Sequence, residues 1–173
     1  HFAYDRVDGI HFGSDVLVGE AGHLMILLGD YNDGQGMSAS IIDGRVDLTT
    51  TQGSISAEYV ERLDGYNYND VLSGDENRNL IAGVGGEDTI YGLGGDDVLG
   101  GGDGSDIIYG GSGNDVILGG YGDDYIKGGS GDDLLDGMAG ADKVFGQRGG
   151  DIVVATGDGE GATLGRSEEH TSE

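Results

Sequence analysis

The sequence predicts an all-β chain wound into a solenoid of two short-stranded parallel sheets, and three columns of residues in one phase predict it. Ten consecutive nine-residue blocks run from Gly65 to Val154, each opened by glycine: Gly65, Gly74, Gly83, Gly92, Gly101, Gly110, Gly119, Gly128, Gly137 and Gly146. An aliphatic residue fills every eighth place, at Leu72, Ile81, Ile90, Leu99, Ile108, Ile117, Ile126, Leu135, Val144 and Val153. Aspartate fills the sixth place in every block but one, where Asn79 stands. Composition alone, with 39 glycines in 173 residues, does not align glycine, acid and aliphatic in a common phase. A fixed short period is the mark of a stacked, repeating architecture.

Each block divides into a turn and a strand. Places seven to nine, such as Ile107-Ile108-Tyr109 or Val116-Ile117-Leu118, are apolar and β-branched, which suits a very short strand. Period two sends the eighth side chain to one face and its neighbours to the other. Places one to six are rich in glycine, which reaches positive φ without a Cβ penalty and lets the backbone reverse sharply. Turn, strand, turn, strand therefore makes one coil of eighteen residues. Successive coils stack as two parallel sheets with the eighth-place aliphatics between them.

Four central blocks carry the full hexapeptide Gly-Gly-x-Gly-x-Asp, at Gly101–Asp106, Gly110–Asp115, Gly119–Asp124 and Gly128–Asp133. They resemble the calcium-binding nonapeptide repeats of RTX (haemolysin-type) proteins, whose pattern G-G-x-G-x-D-x-U-x accompanies a parallel β-roll. The resemblance covers about half of the chain. It implies a right-handed parallel β-roll over 65–154, Ca²⁺ as cofactor, and a secreted, extracellular protein that uses a type I secretion apparatus.

Stacking at eighteen residues puts turns two blocks apart on the same edge. Asp70, Asp88, Asp106, Asp124 and Asp142 fall on one edge, and Asn79, Asp97, Asp115, Asp133 and Asp151 on the other. Neighbouring strands lie about 4.8 Å apart, so two such carboxylates can share one cation. Calcium takes six to eight oxygens at about 2.3 to 2.6 Å, whereas magnesium demands a tighter octahedron and keeps its water. Turn carbonyls can complete a calcium shell. The candidates are first-place Gly83, Gly92, Gly101, Gly110, Gly119 and Gly128, second-place Gly102, Gly111, Gly120 and Gly129, and fourth-place Gly86, Gly95, Gly104, Gly113, Gly122 and Gly131. Pairing along each edge allows several ions, up to about eight, and the pair containing Asn79 is expected to be the weakest.

Charge makes the ion necessary in this reading. Gly65 to Val154 holds seventeen acids against four bases, a net of −13. Burial of ten aliphatic side chains does not offset the entropy of ordering ninety residues, and repulsion adds to the deficit. Seven or eight Ca²⁺ would add about +14 to +16. The roll is therefore expected to be disordered without calcium and to fold on binding it. Its ends depart from the pattern. Tyr68 and Asn77 replace the fourth-place glycine and Arg78 sits beside a site, so Gly65–Ala82 is expected to form metal-free coils. Met138 and Gln147 replace the second-place glycine near Lys143 and Arg148, so the roll is expected to weaken there too.

Outside the roll the chain reads in order as follows. Residues 1–40 are degenerate β coils and a loop: Gly13–Gly19 and Gly22–Ile26 have block spacing in another phase, with Asp15 a poor candidate ligand. Gly29–Gly36 is rich in turn residues but lacks the twelve-residue EF-hand spacing, and is read as a solvated loop. Residues 41–64 are a β flank capping the roll, with turns at Asp43-Gly44 and Gln52-Gly53. Gly44–Thr49, Glu61–Leu63 and Asn69–Gly74 are similar to the flank that leads into such repeats in secreted proteases, polysaccharide-modifying enzymes and adhesins. Residues 155–165 are the roll end. Arg166–Glu173 resembles the translation of a sequencing-adapter oligonucleotide and is set aside; an export signal at the C-terminus would then be missing. A start at His1, without initiator methionine or signal peptide, is expected of a fragment.

Composition closes off several functions. With 33 acids against 8 bases and a net charge of −25, nucleic acid is not an expected partner. No run of eighteen apolar residues occurs, so no membrane span is expected. There is no H-E-x-x-H, no G-x-S-x-G and no Gly-Lys-Ser/Thr loop, and His1, His11, His23 and His170 are scattered. The pairs Asp96-Asp97, Asp123-Asp124 and Asp132-Asp133 each join a fifth-place turn residue to a sixth-place acid, which favours ion sites over glycoside chemistry. No enzyme is expected within this chain. Tyr91, Tyr109, Lys127 and Phe145, eighteen apart, form an outward stripe read as stacked strand residues, with a carbohydrate or partner surface as the alternative. The expected function is a calcium-dependent structural module supporting export and stability of an attached domain. The alternative is the roll of a secreted metalloprotease, epimerase, lipase or adhesin whose upstream catalytic or adhesive domain lies outside this chain.

Overall fold

A computed structural model describes residues 62–65 and 67–154 in full, together with the strand backbone of 16–20, 23–27, 38–42, 45–50, 53–58, 60–61 and 163–165. These residues form β structure with no helix. Ahead of the repeats come β1 (Val16–Glu20), β2 (His23–Leu27), β3 (Ser38–Ile42), β4 (Arg45–Thr50), β5 (Gly53–Glu58) and β6 (Val60–Asp64). The repeats supply β7 (Val71–Ser73), β8 (Leu80–Gly85), β9 (Thr89–Gly94), β10 (Val98–Asp103) and β11 (Ile107–Ser112). They continue with β12 (Val116–Tyr121), β13 (Tyr125–Ser130), β14 (Leu134–Ala139), β15 (Lys143–Arg148) and β16 (Ile152–Val154), and β17 (Thr163–Gly165) follows.

Consecutive repeat strands alternate between two sheets. One has the order β1-β2-β6-β8-β10-β12-β14-β16 and the other β17-β15-β13-β11-β9-β7-β3-β4-β5. From β7 to β14 each strand pairs in parallel with the strand two further on at a register of eighteen, so that Leu99 lies opposite Ile81 and Ile117, and Ile108 opposite Ile90 and Ile126; β15 pairs with β17 at a register of twenty. The result is a β-solenoid of about five turns. Its core is a double column of eighth-place side chains. From Leu72 to Val144 each is at most 1 % exposed, and Val153 packs against the end of the column. Leu63 adds a rung nine residues before Leu72 and is fully buried, opposite Ile81. The periodicity therefore reaches one strand upstream of Gly65, into the segment read from sequence as flank.

The turns repeat one backbone shape whatever residue occupies them. Second and fourth places are left-handed in eight successive blocks, as at Gly102 (φ 117°) and Gly104 (φ 135°). Val84, Leu93, Met138 and Gln147 hold the second place at φ values of 82°, 77°, 65° and 80°. An L-residue is strained there, roughly 1–2 kcal/mol each. Pairing with a neighbouring coil imposes the shape, since Val84, Leu93, Met138 and Gln147 lie opposite the left-handed Gly102, Gly111, Gly120 and Gly129.

The upstream strands depart from the coils expected of them. β1 and β2 pair antiparallel, as do β3, β4 and β5, while β2 and β3 join the roll by parallel pairing to β6 and β7. Asp43-Gly44 lies between β3 and β4, and a two-residue link can only join antiparallel neighbours. Expectations for His1, His11, Asp15, the loop 29–36 and the segment 166–173 concern residues outside the described ones.

Candidate calcium-binding edges

Each sixth-place aspartate has most of its hydrogen-bonding capacity taken up by the neighbouring coils. The backbone N–H of Asp70 donates to Oδ1 of Asp88 at 2.7 Å, Asp88 to Asp106 at 2.8 Å, Asp106 to Asp124 at 2.8 Å and Asp124 to Asp142 at 3.0 Å. On the other edge Asn79 donates to Asp97 at 2.8 Å, Asp97 to Asp115 at 2.9 Å, Asp115 to Asp133 at 2.9 Å and Asp133 to Asp151 at 3.1 Å. The sixth-place carbonyls are occupied as well: Asp97 accepts from the N–H of Val116, and Asp106 from that of Tyr125. These bonds order the ten sixth-place residues into two columns, one per edge.

In seven of these carboxylates one oxygen is left over. Oδ2 of Asp88, Asp97, Asp106, Asp115, Asp124, Asp133 and Asp151 is buried with no hydrogen-bond partner. Such a group is costly to bury, more so if charged. Burial pushes Asp88, Asp97 and Asp124 up to about 7 and Asp133 up to about 6, against an ordinary 3.8; the hydrogen bond from the preceding coil opposes the rise and neighbouring acids add to it. Burial raises Asp106, Asp115 and Asp142 too. These seven oxygens thus form two buried arrays that no hydrogen-bond donor of the protein satisfies.

The glycines create the space around these oxygens. A Cβ on first-place Gly101 would meet Oδ2 of Asp106 and the carbonyl oxygen of Gly119, and Gly83, Gly92, Gly110, Gly119 and Gly128 repeat the arrangement. At the second place a Cβ on Gly120 would meet the carbonyl of Gly102, and at the fourth a Cβ on Gly104 would meet that of Gly86. Turn carbonyls therefore face the next turn with no side chain between. Among the described residues no three His, Cys, Asp or Glu side chains converge on one point. A cation held at these edges would need carbonyl oxygens beside the carboxylates.

The first blocks close differently. Asn79 Oδ1 accepts the N–H of Asp75 at 2.8 Å, and Asp75 accepts from the N–H of Asn77 at 2.9 Å and from its Nδ2 at 3.1 Å. Just upstream, Arg62 Nε donates to both carboxylate oxygens of Asp64, at 3.0 and 2.9 Å. Protein partners thus do at this end what an ion would do further along.

Sequence reasoning missed a second row of bonds. The N–H of Asn114 donates to Asp96 Oδ1, that of Asp132 to Asn114 Oδ1 and that of Gly150 to Asp132 Oδ1, at 2.7–2.8 Å. Asn69, Ser105 and Asp123 accept in the same way on the other edge. These bonds run opposite to the sixth-place columns. Short polar acceptors recurring at the fifth place were the available signal.

The sequence model of the RTX calcium-binding nonapeptide repeat matches the chain in four copies, at residues 57–90, 64–99, 82–117 and 118–153, more than half its length. The chain belongs to the RTX family. RTX repeats bind calcium, and here the β-roll is the binding unit. The orphaned oxygens suit that ion, because a hard divalent cation takes carboxylate and carbonyl oxygens together and tolerates irregular geometry. No curated protein matches the RTX chain. No helix among its described residues is long and apolar enough to cross a membrane.

Proposed function

We propose that the roll is a secreted structural module that folds on binding several calcium ions outside the cell, supporting the export and stability of an attached domain. The supporting observation is the set of seven buried, unpartnered Oδ2 atoms in two columns. In this reading Asp88, Asp97, Asp106, Asp115, Asp124, Asp133 and Asp151 hold the ions with carbonyls of the second- and fourth-place glycines; Asp70 and Asp142 contribute at the column ends. A bound cation supplies the positive charge that the columns lack. The protein's own part is to hold the coils at their spacing through the Oδ1 bonds and to keep side chains out of the turns. Before export, a cytosol poor in calcium leaves the acids charged and mutually repelling, so the chain stays extended. Extracellular calcium modules bind at about 10⁻⁴ to 10⁻³ M, and neighbour coupling makes folding of a solenoid cooperative.

Titration of the whole chain with calcium, followed by far-ultraviolet circular dichroism, tests this reading. Sheet signal is expected to rise sigmoidally with calcium and to respond little to magnesium. A spectrum unchanged between chelator and about 10 mM calcium, ten times the upper end of that range, would overturn it.

A further inference from the structure

The two sheets of the roll present different chemistry to solvent. β9, β11, β13 and β15 contain no aspartate or glutamate, yet hold Lys127, Lys143 and Arg148, three of the four bases between Gly65 and Val154. Strands β8, β10, β12, β14 and β16 of the other sheet hold Asp103 and Asp136 and no base. Among the described residues none of those three bases pairs with a carboxylate; the ion pair present there is Arg62–Asp64. In a molecule so rich in acid, these four strands contribute none, although the Glu76 carboxylate reaches in from the preceding coil to lie against Gly94 at the β9 end.

The same face carries an aromatic band. Tyr91 and Tyr109 stack with centroids 5.3 Å apart and planes 6° from parallel, Tyr109 meets Tyr125 at 6.4 Å, and Tyr125 meets Phe145 at 5.5 Å. The Lys127 ammonium lies 5.7 Å from the ring centre of Tyr109 and 5.3 Å from that of Tyr125. Tyr91 and Tyr109 are register partners on adjacent strands, so their ring faces meet along the roll and their edges look outward. Ring faces are electron-rich and ring edges electropositive. Outward edges therefore add to the positive character of the lysines.

We propose that the outer face of β9, β11, β13 and β15 docks an acidic, extended polypeptide segment of a partner. Charge complementarity and matching spacing favour such a segment. Carboxylates on one side of an extended chain recur every two residues, about 6.8 Å. Lys127 and Lys143 lie on adjacent strands two places apart, about 8 Å by strand geometry. A sugar polymer would need open ring faces for stacking, and here Tyr91 and Tyr109 turn theirs to each other. The proposal rests on the folded roll, whose remaining acids sit at the edges and on the opposite sheet.

The test uses a labelled oligoglutamate of about 20 residues, long enough to span the four strands at their spacing, titrated with the whole chain and read by fluorescence anisotropy. Titrations run with saturating calcium and with chelator, and circular dichroism of each sample reports folding separately. Binding is expected for the folded protein, weakening with salt, and falling about tenfold or more in Lys127→Glu/Lys143→Glu/Arg148→Glu. Should that variant fail to fold, Lys127→Gln/Arg148→Gln carries the same test with a smaller loss. Absent binding by a folded wild-type chain, equal binding by a folded variant, or preference for oligogalacturonate over oligoglutamate would each overturn the proposal. A chain that is equally folded in chelator and in calcium and binds the peptide through these bases would sink the folding reading and leave the docking face standing; binding by an unfolded chain would overturn the docking face as well.

Discussion

Asp115→Ala probes the edge columns where they are most continuous. The Asp115 carboxylate accepts the N–H of Asp97 at 2.9 Å, while its own N–H donates to Asp133 at 2.9 Å and its carbonyl takes the N–H of Leu134 at 2.8 Å. Alanine keeps both backbone bonds and deletes only the carboxylate, so the buried N–H of Asp97 is left unpaired at about 1–3 kcal/mol. The orphaned Oδ2 goes too, and with it, on the proposed function, a ligand shared by two neighbouring ions. If each of two sites among about eight loses about tenfold in affinity, a cooperative transition shifts its calcium midpoint by roughly 1.8-fold. The lost hydrogen bond, spread over the same ions, brings the total to about two- to threefold. Asp115→Asn retains an Oδ1 acceptor and separates the charge from the bond, so its shift is the ligand part alone, about 1.8-fold at most. Asp70→Ala alters the end of a column and is expected to shift the midpoint less than Asp115→Ala. Calcium titration by circular dichroism measures all three; equal midpoints for Asp115→Ala and Asp70→Ala would refute the sharing of ligands along an edge.

Acidity should partly replace the ion. Asp88, Asp97 and Asp124 are raised from 3.8 to about 7 in the folded roll, so the folded state keeps protons that the unfolded chain releases. The resulting stability is full below about 3.8 and is lost as pH rises through about 7. Chelated protein is therefore expected to gain sheet signal on acidification from pH 7 to 4; a flat or falling signal counts against the buried columns. Val84 sits at φ 82° and is 45 % exposed, so Val84→Gly removes strain while sacrificing little burial. Strain of roughly 1–2 kcal/mol less glycine's entropic cost of about 0.5–1 leaves a net gain of up to about 1.5 kcal/mol, seen as a higher melting temperature in calcium. Gly120→Val, whose Cβ would meet the Gly102 carbonyl, should melt lower; the opposite order would contradict the account of the turns.

Much of the roll was legible because its blocks are local and identical in phase. Period two made Ile108 inward and Tyr109 outward without any knowledge of the neighbours. The pairing of Leu99 with Ile117 follows from the coil length. Leu63 was assigned to the flank because its block opens on Ser56 instead of glycine and carries Glu61 instead of aspartate at the sixth place, although its spacing from Leu72 is the same nine residues. The antiparallel strands before the roll were hidden for a different reason. Gly13–Gly19 and Gly22–Ile26 have block spacing, and spacing alone does not say whether the next strand returns beside its predecessor or above it.

The sequence by itself determined the period, the inward column and the two edges on which the acids fall, because these depend on each residue's place within its own coil. Tertiary structure alone decided which carboxylate oxygen stays free, since Oδ1 of Asp115 is taken by an N–H eighteen residues away. It also decided that Val84 and Leu93 adopt a glycine's backbone, because the paired coil, in which Gly102 and Gly111 lie opposite them, and not the residue sets the shape of the turn. Three unpaired bases and four aromatic rings came to share one face for the same reason: residues distant in the chain become neighbours only when the coils stack.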